Sequence, residues 1–481
     1  MIALLILHIW FVSFIDKPEK SAPQLSERAF EQRAKWGIAT DQMDYPVSPM
    51  YMGELRKMGV TICHKSRWFN GVTCQMDEET AKKVKSLKFV KDVELTRDDK
   101  PAAKLLKHSI LNSQQLSILN SQFSILNSQL SSSYTQKQLE LYNLLPLHEA
   151  GFEGKGILMT LCDGGFKDAQ NLTCFRQKEL ELGHFDFTDD KDDFYGASGA
   201  HGTMCLSTVS GIAEGFYGAA TQAQYYLMRS EEAEHESPKE MDNLVAALEK
   251  ADSLGVNIFS VSLGYAMFDN SEWTLDKSDL DGKSTRASLA ATIAARKGML
   301  VCVAAGNEGN GDWKTICVPA DADSILTVGA VDTTGLIGSF SSFGPSADER
   351  VKPDVCAVGV KATLINPSGE IVRNNGTSFS CPLMAGLAAC LWSALPDENA
   401  MQIRERIIRS ADRFDNPDYI RYGFGVPDAW KAYTMILPSP VTHSTLPVTD
   451  NRSAFTKVLR NGRLLIVGEG KTFDSTGQRV Q

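Results

Sequence analysis

The chain has no cluster of Lys and Arg suited to a phosphate backbone, and its 49 basic residues are outnumbered by 59 acidic ones, for a net charge of −10. A nucleic-acid partner is therefore not expected, since such proteins present concentrated positive charge. A long apolar run is also missing. Ile2 to Ile15 is apolar, but it is too short to span a bilayer cleanly and lacks a basic leader and a small-residue cleavage site, so no integral membrane span is expected. The ten cysteines do not show the dense spacing of a small disulfide scaffold. Free core thiols are the expectation, with Cys162, Cys302 and Cys390 inside apolar runs; a Cys302–Cys317 bridge is the alternative, because spacing does not decide connectivity. What the chain does have is length and apolar content. Its 481 residues, 43% hydrophobic and 22% charged, can bury large cores and hold more than one domain.

The densest local signal is Asn375-Gly376-Thr377-Ser378-Phe379-Ser380-Cys381-Pro382, followed by an apolar helical run from Leu383 to Leu395. A serine at such a helix entrance has its backbone N–H among the unpaired donors of the first turn. The same residue can therefore attack a carbonyl and help hold the resulting oxyanion. Pro382 is expected within the first turn, where its missing N–H is not needed. Upstream, the strand-like run Ile157 to Cys162 ends in Asp163-Gly164-Gly165, which puts a carboxylate at the edge where open α/β sheets carry their sites. Next comes Gly199-Ala200-His201-Gly202-Thr203, at another helix entrance. Asp163, His201 and Ser378, each opening from the end of a strand or helix, make the residue set of a nucleophilic triad.

In these motifs the chain resembles the subtilisin family of serine proteases, whose triad runs Asp, His, Ser. Asp163-Gly164-Gly165, His201-Gly202-Thr203 and Gly376-Thr377-Ser378 with Pro382 match the three catalytic motifs. Ala304-Ala305-Gly306-Asn307-Glu308-Gly309 matches the oxyanion-hole segment, which implies that role for Asn307. Ser262-Leu263-Gly264 matches the segment that lines the cleft and pairs with substrate backbone, with Ala304, Ala305 and Gly306 facing it. Phe340 to Gly344 and Lys352 to Val355 add structural matches, and the resemblance covers residues 134 to 435. There are departures. Gly164 stands where Ser or Thr is frequent, Phe379 where Met is common, Leu383 where His is common and Val358 where Pro is common; none removes a proton-transfer group.

The resemblance implies a subtilisin-like, doubly wound parallel α/β sheet acting as a serine endopeptidase on polypeptide substrates. No cofactor is required and no residue is assigned to a metal. Calcium is left open without a site, the acidic stretch Asp186 to Asp193 reading first as a solvated loop. Two alternatives remain at this stage: an inactive binding or adhesion module of the same fold, and a sedolisin-like acid peptidase, against which His201-Gly202-Thr203 speaks.

The layout divides into five. Residues 1–8 read as the remnant of a signal peptide. Residues 9–98 read as a small α+β propeptide that inhibits until removed, its segment Val93 to Thr96 laid along Ser262-Leu263-Gly264 as an added strand. Residues 99–133 carry Ser-Ile-Leu-Asn-Ser-Gln three times and read as an irregular linker open to maturation cleavage. Residues 134–437 alternate helices and β-rich runs: Ser237-Pro238 opens a helix closed by Gly255, and Ser284 opens another closed by Gly298. Residues 438–481 form a β-rich tail. Asn461-Gly462-Arg463-Leu464-Leu465-Ile466, with Gly468 and Gly470, resembles tails that direct type IX secretion in Gram-negative bacteria. A secreted or cell-surface enzyme, with secretion machinery as a partner, is expected.

Overall fold

The computed structural model describes residues 7–18, 21–98, 133–175, 178–189, 194–196, 199–232 and 235–437, together with the backbone of four strands beyond residue 455. The three repeats, most of the 99–133 linker, residues 1–6 and part of the acidic stretch lie outside the described residues.

The N-terminal elements are β1 (His8–Phe14), α1 (Glu27–Lys35), α2 (Pro49–Lys57), β2 (Thr61–Ser66), β3 (Gly71–Met76), α3 (Glu78–Lys85) and β4 (Val90–Arg97). They form one antiparallel sheet in the order β2-β3-β1-β4. Local chemistry explains the helices: Ser26 and Asp77 accept from Ala29 N–H and Thr80 N–H, each relieving an unpaired first-turn donor. Val12, Phe14, Leu55, Val72, Cys74 and Val84 fill a separate apolar core.

Three expectations are corrected here. His8 belongs to β1, pairing with Met76, rather than to the leader. The sequence pattern places a strand over Trp68 to Met76; it begins only at Gly71, because residues 67–70 form the turn that joins it to β2. Val93 to Thr96 does not lie along Ser262-Leu263-Gly264. It is part of β4, the edge strand of the N-terminal sheet, with Val93 opposite Val12 and Leu95 opposite Trp10, and among the described residues its other edge forms no ladder with Ser262-Leu263-Gly264.

The larger body is built on β5 (Leu158–Asp163), β6 (Glu181–Asp186), α4 (Ala200–Ser210), β7 (Gln224–Arg229), α5 (Pro238–Leu254), β8 (Ile258–Val261), α6 (Arg286–Arg296), β9 (Leu300–Ala304), β10 (Leu326–Val331) and β11 (Val355–Val358). A β12–β13 hairpin (Ala362–Ile365, Ile371–Asn374) then leads into α7 (Thr377–Ala394), α8 (Ala400–Ser410) and α9 (Ala429–Thr434). The seven strands lie in the order β11-β10-β9-β8-β5-β7-β6, every neighbouring pair parallel. Strands covered on both faces read as continuous apolar runs, and β5 and β9 are buried at every position.

Helices α4, α7, α8 and α9 pack with one apolar cluster, and α5 and α6 with the other. Gly255 closes α5 at φ 74°, as the sequence suggests. Thr285, not Ser284, caps α6, because its hydroxyl stands three residues before the Ser288 N–H it accepts from. Among the described residues, α7 alone is long and apolar enough to cross a membrane; it is the buried central helix of the body.

All ten cysteines are free, Cys302 and Cys317 included, and only Cys63 is not buried. Residues 436–481 form a separate unit. Its backbone makes an antiparallel meander of β14 (Thr456–Arg460), β15 (Arg463–Gly468), β16 (Lys471–Asp474) and β17 (Arg479–Val480).

Candidate active site

Three adjacent strands deliver side chains to one edge of the parallel sheet. Asp163 ends β5, Ser262 follows β8, and Gly306-Asn307 follows β9. Helices α4 and α7 start at the same edge, with His201 second in α4 and Ser378 second in α7. Chain order scatters these residues, and sheet order β9-β8-β5 gathers them.

His201 Nδ1 lies 2.8 Å from Asp163 Oδ1 and 3.0 Å from Oδ2. An ionised carboxylate only accepts, so Nδ1 carries the proton and Nε2 is left as the basic nitrogen. Burial works against the imidazolium, but the charge and hydrogen bond of Asp163, with help from Glu231, outweigh it and raise His201 above its ordinary value of 6.5. The approach of α4 to the Asp163 turn requires glycine at 202. A Cβ there would stand 2.1 Å from Gly165 O and 3.0 Å from Asp163 Cβ.

Ser378 is 1% exposed, and its Oγ makes no hydrogen bond. Its carbonyl is held instead. Pro382 stands in the second turn of α7, not the first, at the position whose N–H would reach Ser378 O. That carbonyl, released by the proline, accepts from Ser262 Oγ at 2.8 Å and from Cys205 Sγ at 3.3 Å. Cys205 also lies 3.9 Å from His201 Nε2, so one thiol touches both the imidazole and the serine backbone. Its position one helical turn after His201 was the signal that could have found it.

Asn307 is fixed from the other side. Its Oδ1 accepts from Thr377 N–H at 2.9 Å and from Thr377 Oγ at 3.0 Å, which leaves the amide NH₂ as the side chain's donor. Gly306 N–H donates to Thr377 Oγ at 3.2 Å. Gly306 adopts φ 107°, and a Cβ there would meet Ser342 Oγ at 2.8 Å. Thr377 thus ties the Asn307 loop to the entrance of α7, a role the sequence did not suggest.

Of the other expected site residues, Ser262 braces the Ser378 carbonyl and Leu263 is buried in an apolar cluster. Gly264 comes just before Tyr265, which bridges to Val318. Ala304 ends β9 and Ala305 follows it. Both continue β9 into the interior, one in each apolar cluster, and the Ala305 backbone is used by Val328 and Cys317. Only Gly306 of that trio reaches the Asn307 turn.

The N-terminal sheet docks on α5 and α6. Arg67 donates to Asp252 Oδ2 at 2.5 Å and, through its backbone, to Glu249 Oε2 at 2.8 Å. Arg33 joins Asp252 at 2.6 Å and Asp44 at 2.7 Å, and Lys297 reaches Asp44 and Asp41. Arg286 pairs with Asp242 and with Glu94 of β4. Trp68, 5% exposed, joins the apolar cluster of the larger body. Burying a ring of that size contributes roughly 3–5 kcal/mol. Burial, set against the Ser66 hydroxyl, Arg67 and backbone donors, pushes Glu249 up to about 7.

Two family models match consecutive stretches of the chain. The model of the subtilase family matches residues 114–425, and that of the peptidase S8 propeptide domain of Bacteroidota matches residues 9–112. Subtilisin NAT of Bacillus subtilis subsp. natto is 25% identical over 356 residues, 73% of this chain and 83% of the relative. Subtilisin DY of Bacillus licheniformis is 31% identical over 229 residues, 47% of this chain and 74% of the relative. The crystal structure of MycP1 from Mycobacterium smegmatis superposes with a TM-score of 0.52 at 21% identity, covering 66% of this chain and 89% of that one.

Proposed function

The chain belongs to the subtilase family, and on that premise we propose that Ser378, His201 and Asp163 carry out its peptide-bond hydrolysis. The protein is a serine-type endopeptidase acting on polypeptides, and it bears a subtilase propeptide, as a zymogen does. In the proposed mechanism Ser378 Oγ attacks the scissile carbonyl while His201 Nε2 takes its proton and later gives it to the leaving amine. Asp163 holds the imidazole in the required tautomer and stabilises its charged form. The Asn307 amide and the Ser378 backbone N–H receive the oxyanion. The substrate backbone runs along Ser262-Leu263-Gly264, with Gly306 opposite.

The observation that carries this reading is the Asp163–His201 pair at 2.8 Å, standing one thiol away from the backbone of a serine at a helix entrance. The propeptide, residues 8–98, is proposed to inhibit until the chain is cut in the segment before Tyr134. Tyr134 N–H donates to Gly215 O at 2.6 Å, so the body is anchored from that residue onward. Export to the cell surface or beyond, with residues 436–481 engaging secretion machinery, completes the proposal.

A full-length Ser378→Ala protein tests it. It should take no label from a serine-directed phosphonofluoridate and should stay unprocessed. Casein hydrolysis by that variant at the parent rate would remove Ser378 from the mechanism.

A further inference from the structure

Three carboxylates converge where β7 passes into α5. One oxygen from each of Glu231, Glu236 and Glu240 lies within 4.8 Å of the others. Glu231 follows the end of β7 by two residues, Glu236 precedes α5 by two, and Glu240 sits in the first turn of α5. Glu236 and Glu240 are buried, and Glu231 is partly exposed. Glu240 uses Oε1 to accept from Glu232 N–H at 2.7 Å, while its Oε2 is buried with no hydrogen-bond partner. Like charges held this close in the interior are relieved either by a proton, toward which burial, Glu236 and Glu231 push Glu240, or by a cation that displaces it. The nearby ammonium of Lys239 is engaged with Glu232 and with Asp189.

We propose that Glu231, Glu236 and Glu240 form a binding site for a divalent cation of the calcium class. The donor set is oxygen only, which suits a hard ion and not a thiolate- or imidazole-seeking metal. Oxygens up to 4.8 Å apart fit on opposite sides of an ion bound at about 2.4 Å. Calcium accepts irregular, partly bidentate carboxylate shells completed by water, whereas magnesium demands near-octahedral order. A substrate ammonium would have to reach Glu240, which is fully buried; a bare ion needs no such opening. The acidic stretch after β6 is a poorer candidate, since Asp186 is paired with Arg229 and Asp189 with Arg97 and Lys239.

The ion would tie the start of α5 to the cleft wall. Tyr265, next to the Ser262–Gly264 segment, donates from its hydroxyl to Glu240 O at 3.4 Å, and Asp269 exchanges two hydrogen bonds with the backbone of Glu236. The cation assignment does not rest on the triad assignment, although Glu231 also helps raise His201.

Full-length Ser378→Ala protein, which should not cut itself, is titrated with terbium as a calcium stand-in while tyrosine is excited, Tyr265 being the adjacent donor. Saturable emission that calcium displaces is expected, with calcium affinity in the roughly 10⁻⁴–10⁻³ M range of extracellular sites. Glu231→Gln, at a partly exposed position that should fold normally, is expected to weaken binding at least about tenfold, since ligand charge sets affinity. Glu240→Gln should abolish it, and calcium should raise the melting temperature of the parent, raise that of Glu231→Gln less, and leave that of Glu240→Gln unchanged. No saturable calcium or terbium binding up to about 10 mM, or undiminished binding in Glu231→Gln, overturns the proposal. Because the readout is binding, either result leaves the catalytic reading untouched.

Discussion

The edge carrying Ser378 and the face carrying the propeptide are held together by different chemistry. At the edge the main charged pair is Asp163 with His201. The rest is hydroxyl, amide and backbone: Ser262 on the Ser378 carbonyl, Thr377 on Asn307, glycines at 202 and 306 where no Cβ fits. On the docking face, Arg33, Arg67, Lys297 and Arg286 meet Asp252, Asp44 and Asp242 in a buried ionic network around one aromatic anchor, Trp68. Short neutral bonds to backbone fix a geometry once and lose little to water. Buried ion pairs return most of their Coulomb gain in desolvation, so charges of this kind can exchange partner for solvent at little net cost. The first arrangement suits groups that must not move, the second a segment proposed to leave.

The largest test of this contrast is Asp163→Asn. It keeps the shape of the edge but removes the charge that sets the His201 tautomer, and turnover should fall by about 10⁴. On the proposed mechanism the parent needs neutral His201, whose pKa is raised, so the acid limb of the rate profile should lie above pH 6.5. In the variant the residual activity should titrate lower, because burial then acts without the opposing carboxylate; an unmoved limb would assign it to another group. Next in size, Asn307→Leu should lower kcat by roughly 10²–10³, the loss seen for one such donor in a related enzyme, with little change in KM. A pure KM effect would make Asn307 a binding group.

On the docking face, Arg67→Ala should weaken inhibition by the excised propeptide roughly a hundredfold, as expected when one partner of a buried pair is removed. No loss would mean that Trp68 and the remaining ion pairs hold the joint without Arg67. The smallest effect is on pH. Docking raises Glu249 from the ordinary range to about 7, so the complex holds a proton that the free enzyme gives up. Inhibition should therefore be strongest below about pH 4.5 and weaken as pH rises through 7. Glu249→Gln should flatten that slope and leave the kcat of the mature enzyme unaltered; a changed kcat would blur the distinction between the two regions.

Motifs that oblige a particular backbone were legible in the sequence: the strand ending in Asp163, the helix entrance at His201, and the α5 stop at Gly255. Contacts made only in three dimensions were not. Pro382 looked like a first-turn residue, since sequence alone does not say where the helix begins; a shift of one turn converts it into the reason Ser378 O is available to Ser262 and Cys205. Strand β2 was missed because its alternation is interrupted by His64 and Lys65 and by a register shift between Ile62 and His64. The acidic trio was hidden because Glu240, in a helix start full of charge, gives no sign of burial until α5 is placed against the sheet.

Cys63 gives the chain a reporter that needs no engineering. Nine of the ten thiols are buried, and the remaining one sits on β2 of the propeptide, where burial raises its pKa and slows its reaction without closing it off. A maleimide dye applied to the native precursor would therefore mark the propeptide and leave the body dark. As maturation proceeds, the fluorescent mass would drop from that of the whole chain to that of the fragment released by the cut before Tyr134. Polarisation of that single label would then follow the departure of the propeptide in real time.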